Sequence, residues 1–272
     1  MTTRARVAVA SAIVVVAFIV AVLPTFAPSG TEVIDLDRAV EHVEAMASSP
    51  HVMGTPEIAG VRAYLIDQIE KMGLEPVTQT VEAPDYFGVA NGSVEVTNVM
   101  TRISGAASTD AMVLVAHYDT VPTTPGANDN AAAVAALLEV GRVLAAEPGP
   151  NDVILLFTDG EEPTPRFGAS AFVDHEWFDD VRLAVNLEGI GVGGASVLVE
   201  VNGPTPELAA RLAGAVDRPV AYSFLTRTAE LIGGAATDFD VFKENDVNGY
   251  SFAYMRGSTI YHTCLLYTSD AA

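Results

Sequence analysis

Met112-Val-Leu-Val-Ala-His117-Tyr-Asp119-Thr-Val-Pro-Thr-Thr-Pro-Gly-Ala-Asn-Asp129-Asn130 is the stretch whose reading decides the fold. Met112 to Val115 are apolar and read as a short buried strand. That strand runs directly into His117 and Asp119, and a Pro/Gly-rich loop then delivers Asp129 at a helix start. Residues two apart on an extended chain point the same way, so the Asp119 carboxylate can hold one imidazole nitrogen of His117 while the other faces a metal. Asp129 adds a hard oxygen donor. Alone, His-x-Asp after a strand is most often a satisfied surface histidine, so its meaning depends on the rest of the chain.

Toward the C-terminus, strand, loop and helix alternate. Asn128-Asp129-Asn130 opens a helix that runs to Ala146, with Val134, Leu137, Leu138, Gly141 and Val143 facing inward. Val153 to Phe157 is an apolar strand followed at once by Thr158-Asp-Gly-Glu-Glu162, and Leu183 to Leu187 is another, followed at once by Glu188. Val197 to Val201 alternates as a further strand, and the apolar run Ser251 to Met255 precedes Ile260-Tyr-His262. Toward the N-terminus, Ile34 to Ala47 suits an amphipathic helix, and Glu57 to Met72 a second one, with Thr55 as its cap, Pro56 at its first position and Gly73 closing it. Val77 to Val81 reads as an edge strand and Ser93 to Ile103 as its neighbour. Successive strand ends each carrying an acid are what a doubly wound α/β sheet offers, because sites collect outside the carboxyl ends of its strands. The acids are therefore expected to converge.

Glu161 and Glu162 are adjacent, so their side chains diverge. One can bind a metal while the other acts as general base on an attacking water, which suits Glu162 as ligand and Glu161 as base. Glu188 supplies a carboxylate at the next strand end and His262 a second imidazole. Each of these alone reads as solvated or structural; five ligand-type residues at successive strand ends, with a spare glutamate, read as a metal site.

Composition narrows the function classes. The 272 residues are 50% hydrophobic, enough for one large domain with a substantial core. Acidic residues number 35 against 14 basic, a formal charge of -21, which excludes nucleic acid as a partner because phosphate binding needs the opposite surface. The single cysteine, Cys264, rules out an internal disulfide framework and a thiolate metal cluster. No Gly-x-Ser-x-Gly elbow is present, so a serine hydrolase is not indicated.

Residues 7–24 form an uncharged apolar run behind Arg4 and Arg6, with no basic residue following until Arg38. This reads as a membrane-spanning segment with the N-terminus cytoplasmic and the rest of the chain extracytoplasmic or lumenal. Thr25 to Ser29 makes a poor cleavage site, so an uncleaved signal anchor is preferred over a secretory peptide, which would leave the protein secreted. The expected organisation is an anchor and linker over 1–29, a globular domain over 30–263, and a tail over 264–272 that reads as non-native, with the domain truncated before its natural end.

His117-Tyr-Asp-Thr-Val, Gly126-Ala-Asn-Asp-Asn-Ala, Phe157-Thr-Asp-Gly-Glu-Glu, Asn186-Leu-Glu-Gly and Tyr261-His-Thr resemble, in order, the motifs of metallopeptidase family twenty-eight, the di-zinc exopeptidases that include aminopeptidases Y and S and glutamate carboxypeptidase. The membrane run, the His51 to Leu65 region and Asn186-Leu-Glu-Gly-Ile-Gly-Val-Gly-Gly194 are most similar to the membrane-tethered endoplasmic reticulum metallopeptidase type. The resemblance implies a three-layer αβα zinc-exopeptidase fold with a mixed, mostly parallel central sheet. It implies two zinc ions bridged by Asp129, with His117 and Glu188 completing one site and Glu162 and His262 the other. Asp119 would orient His117, Glu161 would be the general base, Tyr261 would donate to an oxyanion or simply pack, and Asp238 would support the site from behind. The substrate class implied is a peptide. Position 188 is Glu where the aminopeptidase branch usually has Asp, which loosens the transfer of substrate preference, although the resemblance to the membrane-tethered branch implies Glu there.

The expected activity is that of a membrane-anchored di-zinc aminopeptidase. Carboxypeptidase or dipeptidase action is the alternative within the family, with Arg227 and Arg256 as candidate clamps for a substrate carboxylate. Single-zinc glutaminyl cyclase is the alternative in chemistry. A receptor-like scaffold is the non-enzyme alternative, disfavoured because every ligand and Glu161 are retained.

Overall fold

In this computed structural model the apolar run at Met112 lies in the middle of the sheet. The structure describes residues 34–262 apart from 91, 108–109, 163–165, 223, 225, 227, 229–230, 232–235 and 261. The apolar run at 7–24, Arg227, Tyr261 and the tail after 263 fall outside the described residues; among those described, no helix is long and apolar enough to cross a membrane.

Among the described residues, eight strands form one mixed sheet: β1 (Val77–Pro84), β2 (Ser93–Ile103), β3 (Ala111–His117), β4 (Asp152–Thr158), β5 (Val181–Gly189), β6 (Val197–Asn202), β7 (Val220–Ala221) and β8 (Asn248–Tyr254). Their order across the sheet is β1-β2-β4-β3-β5-β8-β6-β7. The central four, β4, β3, β5 and β8, run parallel, and antiparallel β2 and β6 flank them. From β3 the chain moves to β4 on one side and then crosses to β5 on the other. This places a crevice at the carboxyl ends of β3 and its neighbours, the point where an open α/β sheet binds its ligand.

Strand alternation divides the core into two layers. Leu114 and Ala116 of β3, with Leu155 and Phe157 of β4, pack under α1 (Leu36–Met46), α2 (Pro56–Lys71) and α3 (Ala132–Ala146). Val113, Val115, Ile154 and Leu156 face the opposite way, under α4 (Phe167–Phe172) and α6 (Phe239–Glu244), through Phe172, Phe239 and Phe242. A smaller cluster seats α5 (Thr205–Ala215) on β6 and β8 through Leu208, Leu198 and Tyr250. Leu65 and Ile69, fully buried on α2, each contribute roughly 1.5–3 kcal/mol of transfer free energy.

Most helix ends follow the sequence reading. Gly73 takes φ +76, and Leu74 donates its backbone N–H to the Ile69 carbonyl at 3.2 Å, the closing bond of a glycine-capped helix. Pro56 sits at the first position of α2, but Thr55 does not cap it; its hydroxyl donates to the Val52 carbonyl at 2.7 Å instead. A larger difference lies at Asn128-Asp129-Asn130, read from sequence as the first turn of a helix. Residues 127–131 form an irregular turn in which Asp129 (φ -122, ψ 86) is not helical, and α3 begins only at Ala132. A helical Asp129 would lie along the helix surface; the extended backbone turns its side chain into the crevice.

Candidate metal centre

Of the site residues expected from sequence, His117, Asp119, Glu161, Glu162 and Glu188 lie at or just beyond the carboxyl ends of the central strands, and Asp129 and His262 reach them from connecting segments. His117 ends β3, Glu161 and Glu162 follow β4, Glu188 is the penultimate residue of β5, and Asp129 occupies the irregular turn. Two glycines permit this crowding. Gly160 (φ +72) turns the chain between β4 and the paired glutamates. At Gly189 a Cβ would lie 1.9 Å from the Asn128 carbonyl oxygen, so any side chain there would displace the turn that carries Asp129.

Asp129 is the centre of the arrangement. Its Oδ1 is 3.2 Å from His117 Nε2, and its Oδ2 is 3.3 Å from His262 Nε2. Glu188 Oε2 joins the first group at 3.5 Å from His117 Nε2, and Glu162 Oε1 joins the second at 2.9 Å from His262 Nε2. Glu161 Oε2 stands 4.0 Å from His117 Nε2, between the two groups and hydrogen-bonded to neither. Three sets of side chains, His117/Asp129/Glu188, Asp129/Glu162/His262 and His117/Glu161/Glu162, have donor atoms within 4.8 Å of one another. These residues fit a metal on a further observation. Both Asp129 oxygens are buried and meet no N–H or O–H donor other than the two imidazoles, an arrangement that is costly for a carboxylate unless cations occupy its lone pairs.

The electrostatics point the same way. Burial raises the Glu161 carboxyl well above its usual range, with Glu188, Asp238 and Glu162 adding to the rise against the opposing pull of His117. Burial likewise lifts Glu162 to about 7, partly offset by its hydrogen bond to His262. Asp129 moves down to about 2 despite burial, because both imidazoles favour its charged form. Burial works against the His262 imidazolium, but hydrogen bonds to Asp129 and Glu162 outweigh it and set the ring at about 9. So many acids within one buried pocket make a site that lacks positive charge.

Asp119 is placed differently from its sequence reading. The closest acceptor for His117 Nδ1 is the Asp119 backbone carbonyl at 3.1 Å, and the carboxylate lies 3.5 Å away. That carboxylate accepts the backbone N–H of Glu161 at 3.1 Å and of Glu162 at 3.0 Å. Asp119 therefore ties the β3 end to the glutamate loop as well as bracing the histidine. Asp238 is fully buried beneath the site, accepts from the Thr158 hydroxyl, and is lifted by burial to about 7. Arg256 is exposed.

Four other residues shape the site without having been singled out in the sequence. Tyr254, at the end of β8, donates its hydroxyl to the Asn128 carbonyl. Asn130 and Asn186 donate to Glu188. Asp159 is buried, accepts the Thr97 amide at 2.9 Å, and lies 3.4 Å from Arg62. Asn130, Asn186 and Asp159 stand inside the motifs quoted above, so their position beside a ligand was the available signal.

Residues 98–265 match the pattern of Peptidase family M28. The chain belongs to that family. Among M28-like relatives, the vacuolar membrane protease of Candida albicans (strain WO-1) is 33% identical over 223 residues, covering 81% of this chain and 26% of that protein. Endoplasmic reticulum metallopeptidase 1 of Mus musculus is 28% identical over 243 residues, covering 82% of this chain and 27% of its own length. The chain thus spans about a quarter of the length of the curated relatives it matches. The fold recurs in Fimbriiglobus ruber glutaminyl cyclase (TM-score 0.68, 21% identity, 88% of this chain and 89% of that one). It recurs equally in BSAP, a zinc aminopeptidase from Bacillus subtilis (TM-score 0.67, 15% identity, 85% and 88%).

Proposed function

We propose that this M28 chain is a membrane-anchored di-zinc exopeptidase that removes residues from the free amino end of peptides. The observation that carries the reading is the shared carboxylate: Asp129 offers one oxygen to His117 and Glu188 and the other to His262 and Glu162, a donor set for two cations rather than one. The names of the two relatives, a vacuolar membrane protease and an endoplasmic reticulum metallopeptidase, and the apolar run at 7–24 support the membrane anchor.

His117, Asp129 and Glu188 would hold one zinc, and Asp129, Glu162 and His262 the other. When bound, zinc supplies a Lewis acid that polarises the scissile carbonyl and acidifies the attacking water. Glu161 takes the proton of that water and returns it to the leaving amine, a task suited to a buried carboxyl that accepts no hydrogen bond from another described residue. Asp119 fixes the backbone of Glu161 and Glu162 together, so base and ligand keep their spacing as the proton moves. A scaffold role would not require Glu161, and a single-zinc cyclase would not require both halves.

The test is Glu161→Gln in the full chain, assayed on free-amine and N-blocked dipeptide substrates with zinc measured in parallel. Unchanged zinc content, and hydrolysis of free-amine substrates lowered by about 10²–10⁴-fold, is the expected result. Retained activity would remove Glu161 as base. Preferential cleavage of the N-blocked substrates by the unmutated protein would replace aminopeptidase with carboxypeptidase or dipeptidase action.

A further inference from the structure

Both oxygens of the Glu188 carboxylate are occupied by asparagines from two different elements. Asn186, two residues earlier on β5 and so on the same face of the strand, donates through Nδ2 to Glu188 Oε1 at 3.1 Å. Asn130, beside Asp129 in the irregular turn, donates through Nδ2 to Glu188 Oε2 at 3.2 Å and to the Leu187 carbonyl at 2.8 Å. Asn186 Nδ2 also lies 3.4 Å from the hydroxyls of Thr237 and Ser251. Both carboxamides are at most 1% exposed.

Chemistry settles which amide atom faces the glutamate. The Leu187 carbonyl only accepts, so the NH₂ of Asn130 points at it and at Glu188, and the NH₂ of Asn186 meets the other Glu188 oxygen. The carboxamide oxygens of Asn130 and Asn186 are then left buried without a partner. Two amides whose oxygens go unsatisfied while their donors converge on one carboxylate are placed for that carboxylate.

We infer that Asn130 and Asn186 are positioning residues that clamp Glu188 so that its Oε2, 3.5 Å from His117 Nε2, is presented to the metal. The inference rests on reading His117, Asp129 and Glu188 as a metal site. It also accounts for glutamate at 188: the side chain is long enough to meet an amide from its own strand and one from the turn together, whereas aspartate would withdraw from both. Without the clamp, the carboxylate of a flexible side chain would have to be ordered by the metal itself, and affinity falls by the cost of that ordering.

The experiment is zinc affinity of the full 272-residue chain by competition with a chromophoric chelator. It is run on the unmutated protein, Asn130→Ala, Asn186→Ala, Glu188→Asp and the double variant Asn186→Ala/Glu188→Asp, with thermal unfolding of each metal-free form. Asn130→Ala and Asn186→Ala each weaken the tighter zinc by about 10–100-fold while their metal-free forms still melt cooperatively. Asn186→Ala adds less than about threefold on top of Glu188→Asp, because it acts through that carboxylate. Asn186→Ser, which keeps a hydroxyl for Thr237 and Ser251 but falls short of Glu188, replaces the alanine variant if that one does not fold. Parental zinc affinity in both asparagine variants overturns the clamp, and so do losses that multiply in the double variant. No zinc on the unmutated protein overturns the metal reading of the site and the clamp with it.

Discussion

The two halves of the centre share Asp129 but are built from different material. The His117 and Glu188 half comes from strand ends: both side chains are at most 6% exposed, His117 is braced by the Asp119 carbonyl, and Glu188 is held by two buried amides. The Glu162 and His262 half depends on a loop. His262 has a side chain 33% exposed and a backbone φ of +58, and its carbonyl is fixed by the hydroxyl of Thr123 at 2.9 Å. The difference teaches that one half is preorganised by the sheet, while the other is assembled by a segment that packing constrains less. On the proposed reading, the strand half binds its zinc first and more tightly.

The largest effect expected from breaking this comparison is at the residue both halves share. Asp129→Ala removes an oxygen from each half, and hydrolysis should fall by more than about 10⁴-fold, with zinc lost from both positions, measured by peptide turnover and elemental analysis. Next in size is the contrast between the two histidines. His262→Ala should keep its one zinc with the affinity of the tighter parental site, whereas His117→Ala should hold its remaining zinc about 10–100-fold more weakly, read by chelator competition. Equal affinities in the two variants would erase the distinction between the halves.

Protons sharpen the same comparison at smaller scale. The folded-state value of His262, about 9, lies above the ordinary imidazole value of 6.5, so its contribution to stability is complete below about pH 6.5 and is lost as pH rises through 9. Glu162, at about 7 against 4.5, contributes in the same direction, fully below 4.5 and lost as pH rises through 7. The metal-free protein should therefore lose thermal stability between pH 6.5 and 9, and His262→Ala should flatten that decline. Because zinc must displace the His262 proton, affinity at the loop half should increase over the same interval. The smallest effect belongs to Thr123→Val, which removes a single exposed hydrogen bond worth at most about 0.5–1.5 kcal/mol; the second zinc should weaken by no more than roughly tenfold, with the first unchanged.

Much of this centre is legible in the sequence, because strand ends are legible. The apolar runs at Met112, Val153 and Leu183 stop where His117, Thr158 and Glu188 begin, and parallel pairing brings such ends together without further information. The glycine closing α2 was equally plain. The turn at 127–131 was not. Asn-Asp-Asn before an apolar helical face is the composition of a helix cap, and only the crevice explains why Asp129 is extended instead. The clamp on Glu188 was hidden for a related reason, since an amide from the turn meets the β5 glutamate only once the turn and strand are in place. Asp119 shows the limit of period-two reasoning. It correctly placed the residue beside His117, but whether the carbonyl or the carboxylate meets the ring depends on where Glu161 and Glu162 put their amides.

The most direct test of the two-halves account is zinc per chain, by elemental analysis after dialysis, on the full protein and on His262→Ala. Close to two ions in the former and one in the latter is the predicted result. One ion in both, or none in either, would contradict a centre built around a shared Asp129.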